Sequence, residues 1–242
     1  MQQSKAIVLH QLKYSETSLI VKMFTEEEGL LSFIVKGVRG KKGKLRTAQF
    51  QALNLLEISY NRAKKSNLRY LTDLRIAEPF TSLFFNPVKR SIAMFITELI
   101  QSCIKEEETN IDLFNFLYGS IQWLDLCKIN SSHFHLYFMM KFTKHLGFSP
   151  MLEGFSPEGF FDLEQGIYTP YTPTHPQFIS GKLLLAWKEM AFSNLEDISA
   201  IHLSQSIKKR LLDALMIYYQ LHLIHFKELN SHHVLQTIFE NE

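Results

Sequence analysis

The apolar residues of this chain change their spacing near residue 80, and that change divides the sequence into two structural regimes. Before Pro79 they form short runs rich in Ile, Val, Leu and Phe between polar turns, a pattern typical of β-strands. Beyond Pro87 they recur with the spacing of one helix face. Proline cannot donate to a strand ladder, so Pro79 is a natural boundary. The sequence therefore predicts an α+β protein with a strand-rich domain over 1–80 and an all-helical domain over 81–242.

Five strand-like runs occupy the first domain. They are Ala6–Leu9, Ser18–Phe24, Leu30–Val35, Ala52–Tyr60 and Leu68–Leu74. Five short strands within 80 residues are typical of a small barrel, and the oligonucleotide-binding (OB) fold is the commonest such barrel that binds single-stranded nucleic acid. We therefore predict a five-stranded OB-fold barrel, although a small SH3-like barrel fits the pattern almost as well.

The helical spacing of the second domain is interrupted once. The helical runs are Val88–Ile104, Ile111–Leu126, His133–Leu146, Leu183–Phe192, Ser206–Leu229 and Val234–Phe239. Residues 147–180, between the third and fourth runs, hold four glycines and five prolines, and the segment GFFDLEQGIY within them predicts a short hairpin. A long irregular stretch inside a compact domain is unusual and is commonly functional.

Positive charge is concentrated in the first domain. The chain carries a net charge of +2, but residues 1–80 hold 14 Lys and Arg against 7 Asp and Glu, a net +7. Cations on flexible, glycine-punctuated segments displace counterions from a polyanion, which indicates nucleic-acid phosphates as the ligand. The alternative is solvated loops with incidental charge. The predicted DNA-binding residues lie in two basic runs: Lys36, Arg39, Lys41, Lys42, Lys44 and Arg46, then Arg62, Lys64 and Lys65.

Aromatic residues accompany these cations and have two possible roles, base stacking or core packing. Phe24 and Phe33 lie inside apolar runs, so we expect them in the core. Tyr14, Tyr60 and Tyr70 flank polar loops, and the sequence leaves both roles open for them because a tyrosine can keep one end in water.

No pattern for bond chemistry is found in the sequence. The pair Gly43-Lys44 is not a nucleotide-binding loop, because Val38 replaces the first glycine and Leu45 the magnesium-binding hydroxyl. Ten histidines occur, but no third ligand has zinc spacing. The N-terminal residues lack a signal-peptide pattern. We therefore predict a cytoplasmic protein that is not an enzyme and has no metal site.

Three segments of the chain resemble RecO, a family of bacterial DNA repair and recombination mediator proteins. The opening segment is similar to the family's N-terminal signature, and LGFSP at 146–150 is similar to the end of the helix that precedes the family's zinc-binding insertion. The tail RLLDALMIYYQLHLIHFKELNSHHVLQTIF resembles the last helices of Bacteroidetes-like members. The matching residues of the opening segment are Tyr14, Glu16, Phe24, Thr25, Gly29, Lys36, Gly37 and Arg39.

The resemblance implies an OB-fold barrel followed by a helical domain, and a role without catalysis near the nucleoid. It implies binding of single- and double-stranded DNA, annealing of complementary strands, and, with RecR, help in loading RecA onto DNA coated by single-stranded-DNA-binding protein. It also implies binding of that protein's acidic, apolar C-terminal tail, which needs an apolar groove with a cationic rim. The candidate cations are Lys141 and Lys144, or alternatively Lys208, Lys209 and Arg210.

One departure from the family concerns the insertion. Many members carry four cysteines there, whereas residues 147–180 contain none, and Asp162, Glu164 and His175 do not restore a zinc ligand set. The sequence therefore predicts a cysteine-free, zinc-finger-like loop held by aromatic packing, with no cofactor. Two other functions stay open at this point, an RNA-binding or ribosome-associated OB-barrel protein and an enzyme whose site the sequence does not reveal.

Overall fold

The computed structural model describes residues 1–38, 47–62, 68–105, 108–128, 132–227, 229–231 and 235. Contacts divide the chain into two compact units, one formed by residues 1–85 and 104–126 and the other by residues 86–103 and 127–242. The helix over residues 111–126 thus belongs to the same unit as the strands, and the predicted domain boundary at residue 80 stays a prediction.

The first unit contains a closed five-stranded barrel. Its strands are β1 (Gln2–Lys13), β2 (Leu19–Thr25), β3 (Gly29–Val35), β4 (Leu55–Arg62) and β5 (Arg69–Ile76). They follow the order β1-β2-β3-β5-β4, and β3 and β5 run parallel while the other neighbouring strands are antiparallel. This is the topology of an OB fold, as the sequence predicted.

Apolar side chains fill the barrel and also cover part of its outer face. Phe33 and Tyr60 meet edge to face inside it, with ring centroids 5.3 Å apart. Helix α2 (Ile111–Leu126) belongs to this unit, and its Phe114 ring lies 6.2 Å from that of Phe24. Phe24 and Phe33 are buried, which confirms the sequence prediction for both.

The structure differs from the predicted strands at two places. Strand β1 is longer than Ala6–Leu9, and β4 begins at Leu55 rather than at residue 52. A short 3-10 helix over Thr47–Phe50 precedes β4, and Leu53 has a positive φ of 69°. The Leu53 N–H donates to the Val8 carbonyl at 2.7 Å, so the chain already lies alongside β1 just before β4 begins.

The second unit is helical. Its helices are α1 (Pro87–Cys103), α3 (Phe134–His145), α4 (Gly181–Phe192) and α5 (Gln205–His222). Helix α3 is buried along nearly its whole length, and the Tyr219 hydroxyl of α5 donates to its Met139 carbonyl at 2.8 Å. The predicted helix over Ser206–Leu229 is shorter than expected, because α5 ends at His222 and Leu223 takes an extended conformation. Apart from Leu235, the last predicted helix, Val234–Phe239, lies outside the described residues. None of the helices in the described part of the chain is long and apolar enough to cross a bilayer.

The insertion forms a small three-stranded sheet within the second unit. Strands β6 (Phe160–Asp162), β7 (Ile167–Thr169) and β8 (Phe178–Ser180) pair in the order β7-β6-β8, so the predicted hairpin is confirmed as β6–β7. An aromatic cluster joins the sheet to the helices. The Phe161 ring lies 5.1 Å from that of Trp187, which in turn lies 5.3 Å from Tyr218.

Candidate nucleic-acid interface

The structure describes only part of the predicted DNA-binding set. Lys36 follows β3 and is exposed, and Arg62 is the last residue of β4. Seven others lie outside the described residues, and their contact with DNA stays a prediction: Arg39, Lys41, Lys42, Lys44, Arg46, Lys64 and Lys65.

Lys36 lies beside an exposed tyrosine at the β3–β5 seam. Ile34 of β3 pairs with Tyr70 of β5, and Lys36 faces the same side of β3 as Ile34 because side chains alternate along a strand. The Lys36 Nζ atom lies 5.1 Å from the centroid of the Tyr70 ring. An exposed cation–π contact of this kind is worth about 0.5–1 kcal/mol. It holds the ammonium at the end of the barrel where the first basic run begins.

A second exposed tyrosine lies at the same end of the barrel. Leu19 of β2 pairs with Lys13 on one side and with Val35 on the other. The Tyr14 N–H donates to the Ser18 carbonyl at 3.1 Å, which extends the β1–β2 ladder by one residue. Tyr14 therefore lies in the row of residues that ends at Lys36. We call Tyr14, Lys36 and Tyr70 the rim surface.

Tyr60, the third tyrosine that the sequence left open, has a structural role. It is fully buried, and its hydroxyl donates to Glu28 Oε1 at 2.9 Å. Arg69 forms an ion pair with the other oxygen of the same carboxylate at 3.2 Å. Burial and then the Glu28 hydrogen bond raise the pKa of Tyr60 well above its usual value. Tyr60 is therefore unavailable for base stacking, and the Arg69 guanidinium is paired with Glu28 within the barrel.

Sequence reasoning missed a further cation on the outer face of the barrel. Lys22 is exposed on β2, where it pairs with His10 of β1 and Ser32 of β3. It lies four residues from Ser18, or about 13 Å along the strand. Its alternation with the buried residues Val21 and Met23 was a usable sequence signal.

A different part of the barrel surface is acidic. A groove of about 520 Å³ lies against the β2–β3 turn, at the end of these strands opposite the rim surface. Its carboxylates disfavour a phosphate backbone, although Arg75 donates to Glu57 at 2.6 Å and neutralises part of the charge. The charged residues that line it are Lys5, Glu26, Glu27, Glu57, Asp73 and Arg75. The rim surface is thus the better candidate for DNA.

The two predicted tail-binding lysines have different environments on α3. The Lys141 ammonium is half-buried and donates to the Ala191 carbonyl at 2.7 Å. Burial, and then the charge of Lys144, lowers its pKa. Lys144 itself is exposed. This hydrogen bond links α3 to α4 through the Lys141 side chain. The role of both lysines in tail binding stays a prediction.

One of the three alternative cations, Arg210, borders an apolar groove in the second unit, whereas Lys208 and Lys209 do not line it. The groove measures about 540 Å³ and lies between β8 and α5. Arg210 is exposed and lines it, whereas the Lys208 ammonium donates to Ser132 Oγ at 3.3 Å. Its apolar lining includes Phe178, Ile179, Leu183, Ile217 and Leu221.

The three polar residues of the insertion lie close together. His175 Nε2 lies 3.0 Å from Asp162 Oδ2, and His175 Nδ1 lies 3.6 Å from Glu164 Oε1. The carboxylates thus face different nitrogens of one ring, so a single ion cannot take all three ligands. No group of three His, Cys, Asp or Glu that could hold a metal ion occurs among the residues that the structure describes.

A closed OB barrel in a basic first domain, followed along the chain by a helical unit, is typical of nucleic-acid-binding proteins. Comparison with known families agrees: the N-terminal domain family of recombination protein O matches residues 1–80, and the C-terminal family matches residues 85–230. The chain therefore belongs to the RecO family of DNA repair proteins, which are recombination mediators.

Similar proteins extend over the whole chain. The DNA repair protein RecO of Bacteroides fragilis is 35% identical over 245 residues, which cover 99% of this chain and all of that protein. The RecO proteins of Phocaeicola vulgatus and Christiangramia forsetii are 35% and 34% identical, and each alignment covers at least 98% of both chains.

Proposed function

We propose that this protein binds single- and double-stranded DNA, anneals complementary strands and, with RecR, helps RecA load onto DNA coated by single-stranded-DNA-binding protein. The observation that carries the proposal is family membership over both domains, on a chain whose basic residues are concentrated in its OB barrel. The protein would act at the nucleoid by binding and positioning DNA, without catalysing a bond change.

Phosphate neutralisation is the physical basis of this proposal. Each Lys or Arg that meets a phosphate releases condensed counterions, and the free energy gained does not depend on base sequence. A mediator needs this property because it must act wherever a single strand is exposed. If about four cations of the first basic run meet phosphates, the slope of log K against log salt should be about −3 on single strands.

A strand-annealing assay with the cognate single-stranded-DNA-binding protein tests the proposal. The protein should accelerate annealing, and a triple charge reversal in the first basic run should weaken DNA binding and lower the salt slope. A matched control reverses three exposed lysines of the second unit and changes the net charge equally. The two sets are Lys41, Lys42 and Lys44 for the test, and Lys128, Lys182 and Lys227 for the control, each replaced by Glu. No acceleration by the wild type, or equal defects in both variants, would contradict the proposal, and tighter binding of RNA than of DNA in competition would favour the ribosome-associated alternative.

We propose the groove between β8 and α5 as the site for the acidic, apolar tail of single-stranded-DNA-binding protein. The support is that Arg210 lies beside an apolar lining in this groove. At the other candidate site, the Lys141 ammonium already donates to the Ala191 carbonyl. Anisotropy with a labelled tail peptide should show weaker binding for Arg210→Glu and little change for Lys144→Glu. The reverse result would place the tail at α3.

We also propose that the insertion keeps its fold without zinc. Asp162 Oδ1 accepts the N–H groups of Glu164 and Gln165 at 2.9 and 3.0 Å, while Oδ2 meets His175 at 3.0 Å. One buried carboxylate thus ties the β6–β7 turn to the proline-rich segment before β8. Elemental analysis of protein purified without chelators should find no stoichiometric zinc, and finding one zinc per chain would refute the proposal.

A further inference from the structure

The rim surface carries two exposed tyrosine rings, which phosphate binding alone does not require. Tyr14 exposes 61% of its surface and Tyr70 exposes 40%. Both rings lie on the outer face of a barrel whose interior already contains Phe33, Phe50 and Tyr60. Neither ring is therefore needed to fill the core.

The strand register places one cation between these rings. Lys13, Leu19 and Val35 occupy one row across β1, β2 and β3, and Tyr14, Ser18 and Lys36 are the residues next to them, just beyond the strand ends. Two strand spacings therefore place the backbones of Tyr14 and Lys36 about 10 Å apart. On the other side, the Lys36 ammonium lies 5.1 Å from the Tyr70 ring centroid. The ammonium covers only part of the ring surface, because Tyr70 remains substantially exposed beside it.

We propose that Tyr70 and Tyr14 are base-stacking platforms on either side of Lys36, so that a single strand binds with bases on the rings and a phosphate at the ammonium. The inference rests on the proposed DNA-binding function and adds a contact with bases. Every base has a π face, so stacking is independent of sequence, but it requires bases that are not already stacked in a duplex. The tyrosines, rather than the cations, would then distinguish single strands from duplex DNA.

A pair of oligonucleotides with equal numbers of phosphates separates base contacts from phosphate contacts. One is a labelled oligothymidine and the other is the same length of abasic sugar-phosphate chain, each titrated with the full-length protein by fluorescence anisotropy. Wild-type protein should bind the oligothymidine at least about fivefold more tightly, which is the lower end of the effect of stacking one base. Tyr70→Leu should lose at least about fivefold on oligothymidine and nothing on the abasic strand, while Tyr70→Phe should keep the preference because it keeps the ring.

Two further variants control for charge and for exposed aromatic surface. Lys36→Gln should weaken binding to both strands and reduce the magnitude of the salt slope by about 0.7, whereas Tyr70→Leu should leave the slope unchanged. Tyr171→Leu removes an exposed ring in the insertion and should change neither affinity. Equal wild-type affinity for both oligonucleotides, or an equal loss on both in Tyr70→Leu, would overturn the stacking role while leaving DNA binding intact. Failure of the wild type to bind either strand would instead overturn the proposed function.

Discussion

Replacement of Asp125 tests how the end of α2 is held to the segment that leaves the barrel. The carboxylate is 5% exposed and accepts three consecutive backbone N–H groups, from Thr81, Ser82 and Leu83, at 2.9, 2.8 and 2.6 Å. Asp125→Ala would leave these donors without that acceptor. Of the three residues only Leu83 is buried, whereas Ser82 is half-buried and Thr81 is exposed, so water can replace part of the lost hydrogen bonding. A buried donor left unsatisfied costs about 1–3 kcal/mol, and we expect a loss of that size in the free energy of unfolding.

The pH dependence of this effect follows from the same contacts. Burial by itself raises the pKa of Asp125, but the hydrogen bonds from Thr81, Ser82 and Leu83 outweigh it and hold the pKa below the usual 3.8. A carboxyl with a lowered folded-state pKa contributes stability that is present above the unfolded-state value and is lost as the pH falls through the folded-state value. The Asp125 contribution should therefore persist above about pH 4 and disappear below it.

Urea unfolding followed by Trp123 fluorescence reports the stability of the unit that contains the barrel and α2. Trp123 lies on α2, and a Trp187→Phe background makes it the single tryptophan of the chain. Asp112→Ala is the matched control, because Asp112 is an exposed aspartate on the same helix whose interaction with the helix dipole is worth about 0.5 kcal/mol. A loss below about 1 kcal/mol for Asp125→Ala, or a loss equal to that of the control, would refute the three-donor interpretation.

Three other predictions concern a glycine in the insertion, the buried Tyr60 hydroxyl and the His133 ring. Gly166→Ala should lower the free energy of unfolding by about 2 kcal/mol or more, because the φ of Gly166 is +71° and a Cβ would lie 2.8 Å from the Tyr218 hydroxyl. Gly154 is the control, because its φ is +69° but a Cβ there would meet open space. Gly154→Ala should therefore cost only the left-handed backbone conformation, about 1–2 kcal/mol, as measured by urea unfolding. Tyr60→Phe should lower stability by about 1 kcal/mol and leave DNA affinity unchanged, and a DNA-binding defect without a stability change would contradict its structural role. Burial, then nearby cationic side chains, lowers the pKa of His133 from 6.5 to about 4, so its contribution to stability should be lost as the pH falls from 6.5 towards 4. NMR titration of the His133 ring with a midpoint near 6.5 would contradict this.

The barrel could be predicted from the sequence because its apolar runs specify short strands. The hairpin β6–β7 could be predicted because glycines mark its start and its turn. Contacts between distant residues could not be predicted in this way. Asp162 and His175 are 13 positions apart and meet only because a proline-rich segment returns to β6. The sequence indicated only that these residues do not restore a zinc ligand set, and their role as a hydrogen-bonded pair depends on the path of that segment.

The contrast between Tyr60 and Tyr70 has a specific structural cause, a register irregularity in β5. Leu71 and Leu74 both pack against the barrel core although they are three residues apart, and strict alternation would allow only one of them to do so. Across the ladder, Ser59 pairs with Asp73 and Tyr60 pairs with Leu71, so Thr72 is an extra residue on β5. Its hydroxyl donates to the Ser59 carbonyl at 2.9 Å.

This extra residue determines which side chains reach the rim surface. With Leu74 facing inward, an uninterrupted strand would also turn residues 72 and 70 inward and would place Tyr70 in the core. The bulge at Thr72 reverses the phase, so that Leu71 and Arg69 face the interior while Tyr70 faces outward beside Lys36. β-Bulges commonly re-aim a side chain next to a functional site. The apolar spacing of three in Leu71-Thr72-Asp73-Leu74 was the only local sequence signal for it, and that signal becomes interpretable only when β4 fixes the register.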